Sequence, residues 1–313
     1  MLVVHGLDSL QVPWEACVVC IGTFDGVHRG HQALIARASA IARKRELPCV
    51  LVTFDRHPTA TLAPDRVPAL LCSLRQKIDQ ICALRLVDLV VVLPFDRAMA
   101  ETSAADFLAE VLTGALRAKS IVVGHDFTFG RGREGDGVWL AGRIETEVFP
   151  AFQIGGIRVS SSLIRQNLLD GDLEAATALL GRSPRLEGIV VSGQRLGREL
   201  GYPTANVAPV ERVAIPADGV YAGWVQTHAS RFAAAISIGT RPTVGPLDRA
   251  VEAFLLDYPG ESLYGQALAI EWVVRIRGQE KFDSLEALVV QMEKDVARCR
   301  AVLESGNSAP GQG

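Results

Sequence analysis

The stretch CVVCIGTFDGVHRGH, residues 17–31, runs from an apolar strand pattern through a glycine-punctuated loop into the start of a helical pattern. That order of events decides the fold class. A short buried run that gives way to Gly22, Gly26 and Gly30 and then to helix-forming residues is how a parallel strand passes into its crossover helix. Outward from it, β-branched runs at 17–22, 49–54, 89–94 and 120–124 alternate with helical patterns at 31–44, 74–84 and 104–116. The alternation continues to about residue 165 and predicts an α/β domain on a parallel sheet. The leucine-rich stretch SSLIRQNLLDGDLEAATALLG, broken at Gly171, is expected to close that domain as a small helical annex.

After Gly181 the texture changes. GRSPRLEG carries glycines and a proline, and EGIVVSG, GVYAGWVQT, FAAAISIG, RAVEAFLLDY and QALAIEWVVRI then read as antiparallel strands of a small barrel. Residues 283–303 have a helical apolar spacing suited to packing on it, and the tail SGNSAPGQG reads as disordered. The expected division is 1–184, 185–305 and a tail at 306–313, an α/β domain followed by a β domain with a C-terminal helix. A length of 313 residues fits two cores better than one.

With 49% hydrophobic and 21% charged residues and a net charge of −3, the chain has no basic field to hold a nucleic acid. The opening MLVVHGLDSLQVPWEA lacks a basic segment followed by an apolar core, and no 18 uncharged apolar residues run together, so a cytoplasmic protein without membrane partners is expected. Self-association is left open. Cys17 and Cys20 form a C-x-x-C, but no second Cys or His pair follows at zinc spacing, and the six cysteines read as buried thiols.

The loop carries the first candidate chemistry. Amides at a helix start favour an anion, the glycines Gly22, Gly26 and Gly30 allow close backbone approach, and Thr23, Phe24 and Asp25 complete the turn. His28 and His31 can direct two imidazoles at one triphosphate. Such a set suits adenylyl transfer, in which the attacking group is already an anionic phosphate and needs in-line positioning and charge neutralisation rather than a general base. The plainer alternative is that His28 and His31 cap the helix and Asp25 closes a turn. In SSSLIR, Ser160 and Ser161 are poised to cap a helix, and Arg165 one turn inside can supply a mobile cation; capping alone is again the alternative.

GTFDGVHRGHQALI, TFDRHP, VVGHDFTFGRGREGD, SSSLIR, LLGR, GRELGYPTANV, GVYAGW, IGTRPT and VEAFLLD occur in one order along the chain. In these motifs, within a match that runs from about residue 18 to 303, the chain resembles the bifunctional riboflavin kinase/FAD synthetases. The resemblance implies a Rossmann-like FMN adenylyltransferase followed by a β-barrel riboflavin kinase. It implies ATP as co-substrate, riboflavin, FMN, FAD, ADP and pyrophosphate as partners, and Mg²⁺ for both steps. It assigns His28, His31 and Arg165 to the first reaction, and Phe54, His57, Pro58, Asp126, Phe127 and Phe129 to the flavin and ATP pocket, although such aromatics are otherwise core residues.

In the second domain, GYPTAN sets Thr204 and Asn206 on one side of an extended segment after Pro203, beside a glycine loop through Gly193, Gly197 and Gly201. Two hard oxygens suit Mg²⁺, and the resemblance assigns them to Mg·ATP with the loop around the phosphates; a turn with a capping Asn is the alternative. Phosphorylating a neutral alcohol benefits from a carboxylate that accepts its proton, and Glu252 in the apolar VEAFLL is the candidate, against a solvent-facing strand glutamate. Two features depart from the family pattern. Thr23 stands where many relatives carry asparagine, and TRPTVGPLDRAVEA is short and lacks an aromatic after Pro-Thr. Rival functions are an FAD synthetase whose barrel only binds flavin, and a flavin carrier without catalysis.

Overall fold

The computed structural model describes residues 1–8, 10–193, 201–240, 249–260 and 262–306. Its contacts divide the chain into two compact units, Met1–Ser161 and Ser162–Gly313. Gly197, most of TRPTVGPLDRAVEA and the tail after 306 lie outside the described residues.

The first unit is built on a parallel sheet of β1 (Leu2–His5), β2 (Cys17–Ile21), β3 (Cys49–Phe54), β4 (Leu89–Leu93), β5 (Ala118–Gly124) and β6 (Glu145–Phe149). The spatial order is β1-β4-β3-β2-β5-β6, every neighbouring pair parallel. The central strands are buried throughout because both faces are covered. Cys17, Val19 and Ile21 of β2 enter one apolar layer, with Phe107 and Leu112, while Val18 and Cys20 enter the other with Ile35 and Ile81. Side chains alternate along a strand, so Cys17 and Cys20 point to opposite faces and do not act as a pair.

Helix α1 (Arg29–Lys44) follows β2, and α2 (Leu74–Leu84) starts at a Ser73 capping box closed by Gln76. The pattern read as a helix over 104–116 winds as a short α turn and then as a π-helix over Phe107–Ala115. From β2 the chain steps to β3 and β4 on one side, then crosses to β5 and β6 on the other. The switch point therefore lies where the carboxyl ends of β2 and β5 adjoin, the usual ligand position in an open parallel sheet.

The second unit opens with α3 (Ser161–Asp170) and α4 (Leu173–Leu180), separated by Gly171 at φ +76°. These were the helices expected to close the first domain. Within this unit Leu168 O accepts from Ala217 N (2.8 Å) and Asp170 O from Arg275 Nη1 (3.5 Å). The division at 161/162 and the expected one at 184/185 thus assign these two helices differently.

The barrel strands are β7 (Arg185–Val191), β8 (Ala205–Pro209), β9 (Gly219–Gln226), β10 (Arg231–Thr240), β11 (Arg249–Leu255) and β12 (Ala267–Arg277). They close antiparallel in the order β7-β8-β11-β10-β9-β12. Ile236, Ile238, Val251, Ala253 and Tyr221 are buried among the strands. Helix α5 (Leu285–Gly306) brings Cys299 and Leu303 onto Val220, Ala222 and Ile276. It is fastened by the buried Asp295, which receives Arg277 Nε and Nη2 at 3.0 and 2.7 Å.

Candidate functional site

At the carboxyl end of β2 the backbone makes a turn that few residues tolerate. Phe24 adopts a left-handed conformation (φ 50°) with its ring in the core, and Gly26 (φ 77°) follows it. A Cβ on Gly26 would lie 2.8 Å from the Leu71 side chain. The turn is held from the side by Asp25, whose Oδ1 accepts from Leu71 N (2.8 Å), and by Cys72 Sγ, which accepts from Gly26 N (3.3 Å). Ser161 Oγ donates to Asp25 O at 3.0 Å, which joins the serine motif to the glycine turn.

His28 is the N-cap of α1: its Nδ1 accepts from His31 N at 3.2 Å, as the capping alternative requires. Capping and ligand work are compatible. An Nδ1 that accepts fixes the neutral tautomer with the proton on Nε2, a donor on the opposite ring edge. The His28 and His31 rings stack at 3.6 Å between centroids and 13°, and Phe24 meets His31 edge-on at 5.3 Å. A Cβ on Gly30 would come within 3.2 Å of the His28 ring, so glycine there lets the imidazole lie against the backbone.

Thr23, Asp25 and His57 line one cavity with Asp55, Cys72 and Lys77. His57 Nδ1 accepts from Thr59 N (3.2 Å), and Pro58 begins the short helix Thr59–Leu62. Phe54 ends β3 and meets Phe95 edge-on at 5.2 Å. Burial pushes the Asp55 carboxyl up, but Arg56 and the Phe95 amide outweigh it and leave it below the usual range. Phe127 stacks on Phe129 at 5.5 Å just beyond β5, and Phe129 also touches Phe107 and Trp139. That pair therefore belongs to a larger aromatic group packed on the core. Asp126 pairs with Arg158 at 2.8 Å. The candidates thus divide into the glycine turn with the cavity, and the aromatic group past β5. Arg165 lies half-buried on α3, and Ser160 just precedes that helix.

In the second unit the register itself assembles the site. Asn206 of β8 is directly opposite Glu252 of β11, which is directly opposite Ser237 of β10. Directly opposed residues share a face, so the row stands on one side of three adjacent strands. Its neighbours in sequence, Ala205, Val207, Val251 and Ala253, are buried on the other. Glu252 is thus on the outward alternation, as the plainer reading held, yet it is not solvated like a surface residue. It is half-buried, and Thr204 Oγ1 donates to its Oε2 at 3.4 Å. Asn206 is buried, with Gly193 against it: a Cβ on Gly193 would lie 2.1 to 2.7 Å from the Asn206 amide atoms. Gly201 has φ +86°, and Tyr202, before Pro203, packs edge-on to Phe254 at 5.3 Å.

Two residues that the structure brings to these candidate sites escaped the sequence reading. Lys77 enters the first cavity, and its signal was a charge on the apolar face of a helix, three residues after Leu74 and four before Ile81. Ser237 joins the barrel row only through a register that no motif announces. Among the described residues no group of three His, Cys, Asp or Glu is placed to hold a metal, and the six cysteines are free, with burial raising Cys17, Cys49 and Cys299 to about 12.

Residues 10–163 match the FAD synthetase family and residues 180–303 the riboflavin kinase family. An Escherichia coli relative named bifunctional riboflavin kinase/FMN adenylyltransferase is 39% identical over 96% of this chain and 97% of its own. A Bacillus subtilis relative of the same name is 35% identical over 94% of each chain. A crystal structure from Streptococcus pneumoniae, described as a macrolide-efflux protein, superposes with a TM-score of 0.85 at 32% identity, covering 95% of this chain and 98% of that one. Among the described residues no helix is long and apolar enough to cross a membrane.

Proposed function

The chain belongs to the family of bifunctional riboflavin kinase/FMN adenylyltransferases, and we propose that it carries the two ATP-dependent reactions at the two sites described above. It is an enzyme with an FAD synthetase and a riboflavin kinase in one chain. We assign FMN adenylylation to 1–184 and riboflavin phosphorylation to 185–305.

At the first site, a phosphate oxygen of FMN attacks the α-phosphorus of ATP, and the bond to the leaving pyrophosphate breaks with its electron pair going to pyrophosphate. No proton need be removed. The amides that open α1, with His28 and His31, donate to the phosphate oxygens as charge builds; Arg165 is the cation that the family resemblance assigns to the same step. Phe54, His57, Pro58, Asp126, Phe127 and Phe129 form the walls for flavin and adenine.

At the barrel, the terminal ribityl hydroxyl of riboflavin attacks the γ-phosphorus, its proton passes to Glu252, and ADP leaves with the electrons of the broken bond. The oxygens of Thr204 and Asn206 fit Mg²⁺, a hard cation that prefers such donors and keeps several waters. Mg²⁺ bound there supplies charge neutralisation at the transferred phosphate. Gly193 and Gly201 flank the segment that the family resemblance assigns to the nucleotide phosphates. Six cysteines without a disulfide, five of them buried, support a reducing compartment, the cytoplasm.

The observation that carries this reading is the convergence of Thr204, Asn206 and Glu252 in a unit separate from His28 and His31. Incubation with ATP and Mg²⁺ and either riboflavin or FMN, followed by chromatography, tests it. FMN and then FAD form from riboflavin, and FAD alone from FMN. A chain that makes FAD only from supplied FMN has an inactive barrel.

A further inference from the structure

Lys77 lies outside every motif that marks the first site, yet its ammonium reaches the base of the glycine turn. The residue is 8% exposed, and Nζ donates to Phe54 O (2.7 Å), Thr53 Oγ1 (3.1 Å) and Thr23 O (3.2 Å). Three N–H groups meet three neutral oxygens. Thr53 Oγ1 in turn donates to Thr23 O at 3.2 Å, so one carbonyl of the turn receives two donors from two different elements. Desolvating a lysine costs more than burying an apolar side chain would at the same place on α2, between Leu74 and Ile81. The cost needs a return, and the position of Thr23 O identifies it. The next residue, Phe24, is the left-handed one that starts the turn into Gly26 and His28.

We infer that Lys77 is a positioning residue for adenylyl transfer: by tying Thr23 O to Thr53 and Phe54, it holds the turn over residues 22–31 in the shape that aligns its amides and imidazoles on the nucleotide. The inference rests on assigning that turn to FAD formation. Lys77 reaches the ends of β2 and β3 together, and these strand ends carry the GTFDG and TFDRHP segments. Its effect is on geometry, so it shows in the turnover number more than in the Michaelis constants.

The test uses the full chain with Lys77→Met, Lys77→Arg, Thr53→Val and, as a reference, His28→Ala. Lys77→Met lowers kcat for FAD formation about 30-fold, while KM for ATP and FMN changes by less than about threefold, in keeping with the cost of small misplacement. Lys77→Arg recovers part of that loss. Thr53→Val, which keeps the lysine and the side-chain volume, lowers kcat by about fivefold. FMN formation by the same chains stays within about twofold of the parent, since it belongs to the other unit. If Lys77→Met retains kcat while His28→Ala loses it, the inference fails and the site assignment stands. If His28→Ala retains FAD formation, the assignment fails and takes the inference with it. Equal losses in the Met and Arg variants, accompanied by a lower melting temperature, reduce Lys77 to packing. Should Lys77→Met not fold, an unchanged kcat in Thr53→Val overturns the inference by itself.

Discussion

The two candidate sites occupy different kinds of place in their folds. In the first unit both faces of the parallel sheet are filled with apolar side chains, so only the strand ends are available, and the site is made from backbone turned sharply at Phe24 and Gly26. In the second unit the space among the strands is filled, but an outer face is open to use, and the site is a row of side chains set by strand register at Asn206, Glu252 and Ser237. A parallel sheet offers a ligand its loops, and an antiparallel barrel offers its wall. The first site should therefore be sensitive to backbone shape, and the second to single side chains.

The largest expected effect sharpens that contrast. Glu252→Gln keeps the shape of the row and removes the proton acceptor, so FMN formation falls by about a thousandfold while FAD formation from supplied FMN is unchanged; rates with each flavin measure this. His28→Ala does the reverse by a smaller factor, about a hundredfold, because several amides share its load. Equal loss of both activities in a folded variant would erase the distinction between the two sites.

Gly193→Ala tests a point at which the barrel site depends on backbone. Its Cβ would overlap the Asn206 amide at 2.1 Å, so the asparagine shifts and FMN formation falls by about tenfold at unchanged FAD formation. A variant with normal FMN kinetics would show that Asn206 is free to move without cost.

The smallest effect concerns stability. Cys17 and Cys49 in the first unit, and Cys299 in the second, are raised by burial from 9.0 to about 12. Unfolded thiols ionise above about pH 9, whereas the folded ones keep their protons, so the stability they lend is full below that pH and is lost as pH rises toward 12. With more such thiols, the first unit should weaken more between pH 8 and about 10.5. Urea unfolding followed by peptide-resolved hydrogen exchange reads the two units separately, and equal shifts would contradict the assignment.

Much of this was legible in the sequence, for identifiable reasons. Strands β2, β3 and β4 are buried on both faces and read as unbroken apolar runs, and α2 has the expected bounds because Ser73 and Gln76 mark its start. The edge strands β1 and β6 went unread, since exposed Leu2 and the charged Glu145 and Glu147 break their patterns. Strand β8 was hidden inside a proline- and asparagine-bearing motif that reads as a turn. His28, Thr204, Asn206 and Glu252 stood out as candidates because each lay in a motif. Lys77 looked like an ordinary helix residue, since its partners, the carbonyls of Thr23 and Phe54, have no sequence signature. The π winding over Phe107–Ala115 was likewise invisible, because helical periodicity does not separate it from an α-helix.

Complementation in a mixture tests the separation of the sites most directly. Neither the His28→Ala chain nor the Glu252→Gln chain alone should convert riboflavin and ATP into FAD at an appreciable rate. Mixed, they should make it, because FMN released by the first chain is adenylylated by the second. A mixture of two folded variants that yields no FAD, although each performs its remaining reaction, would contradict two independent sites joined by a freely exchanged FMN.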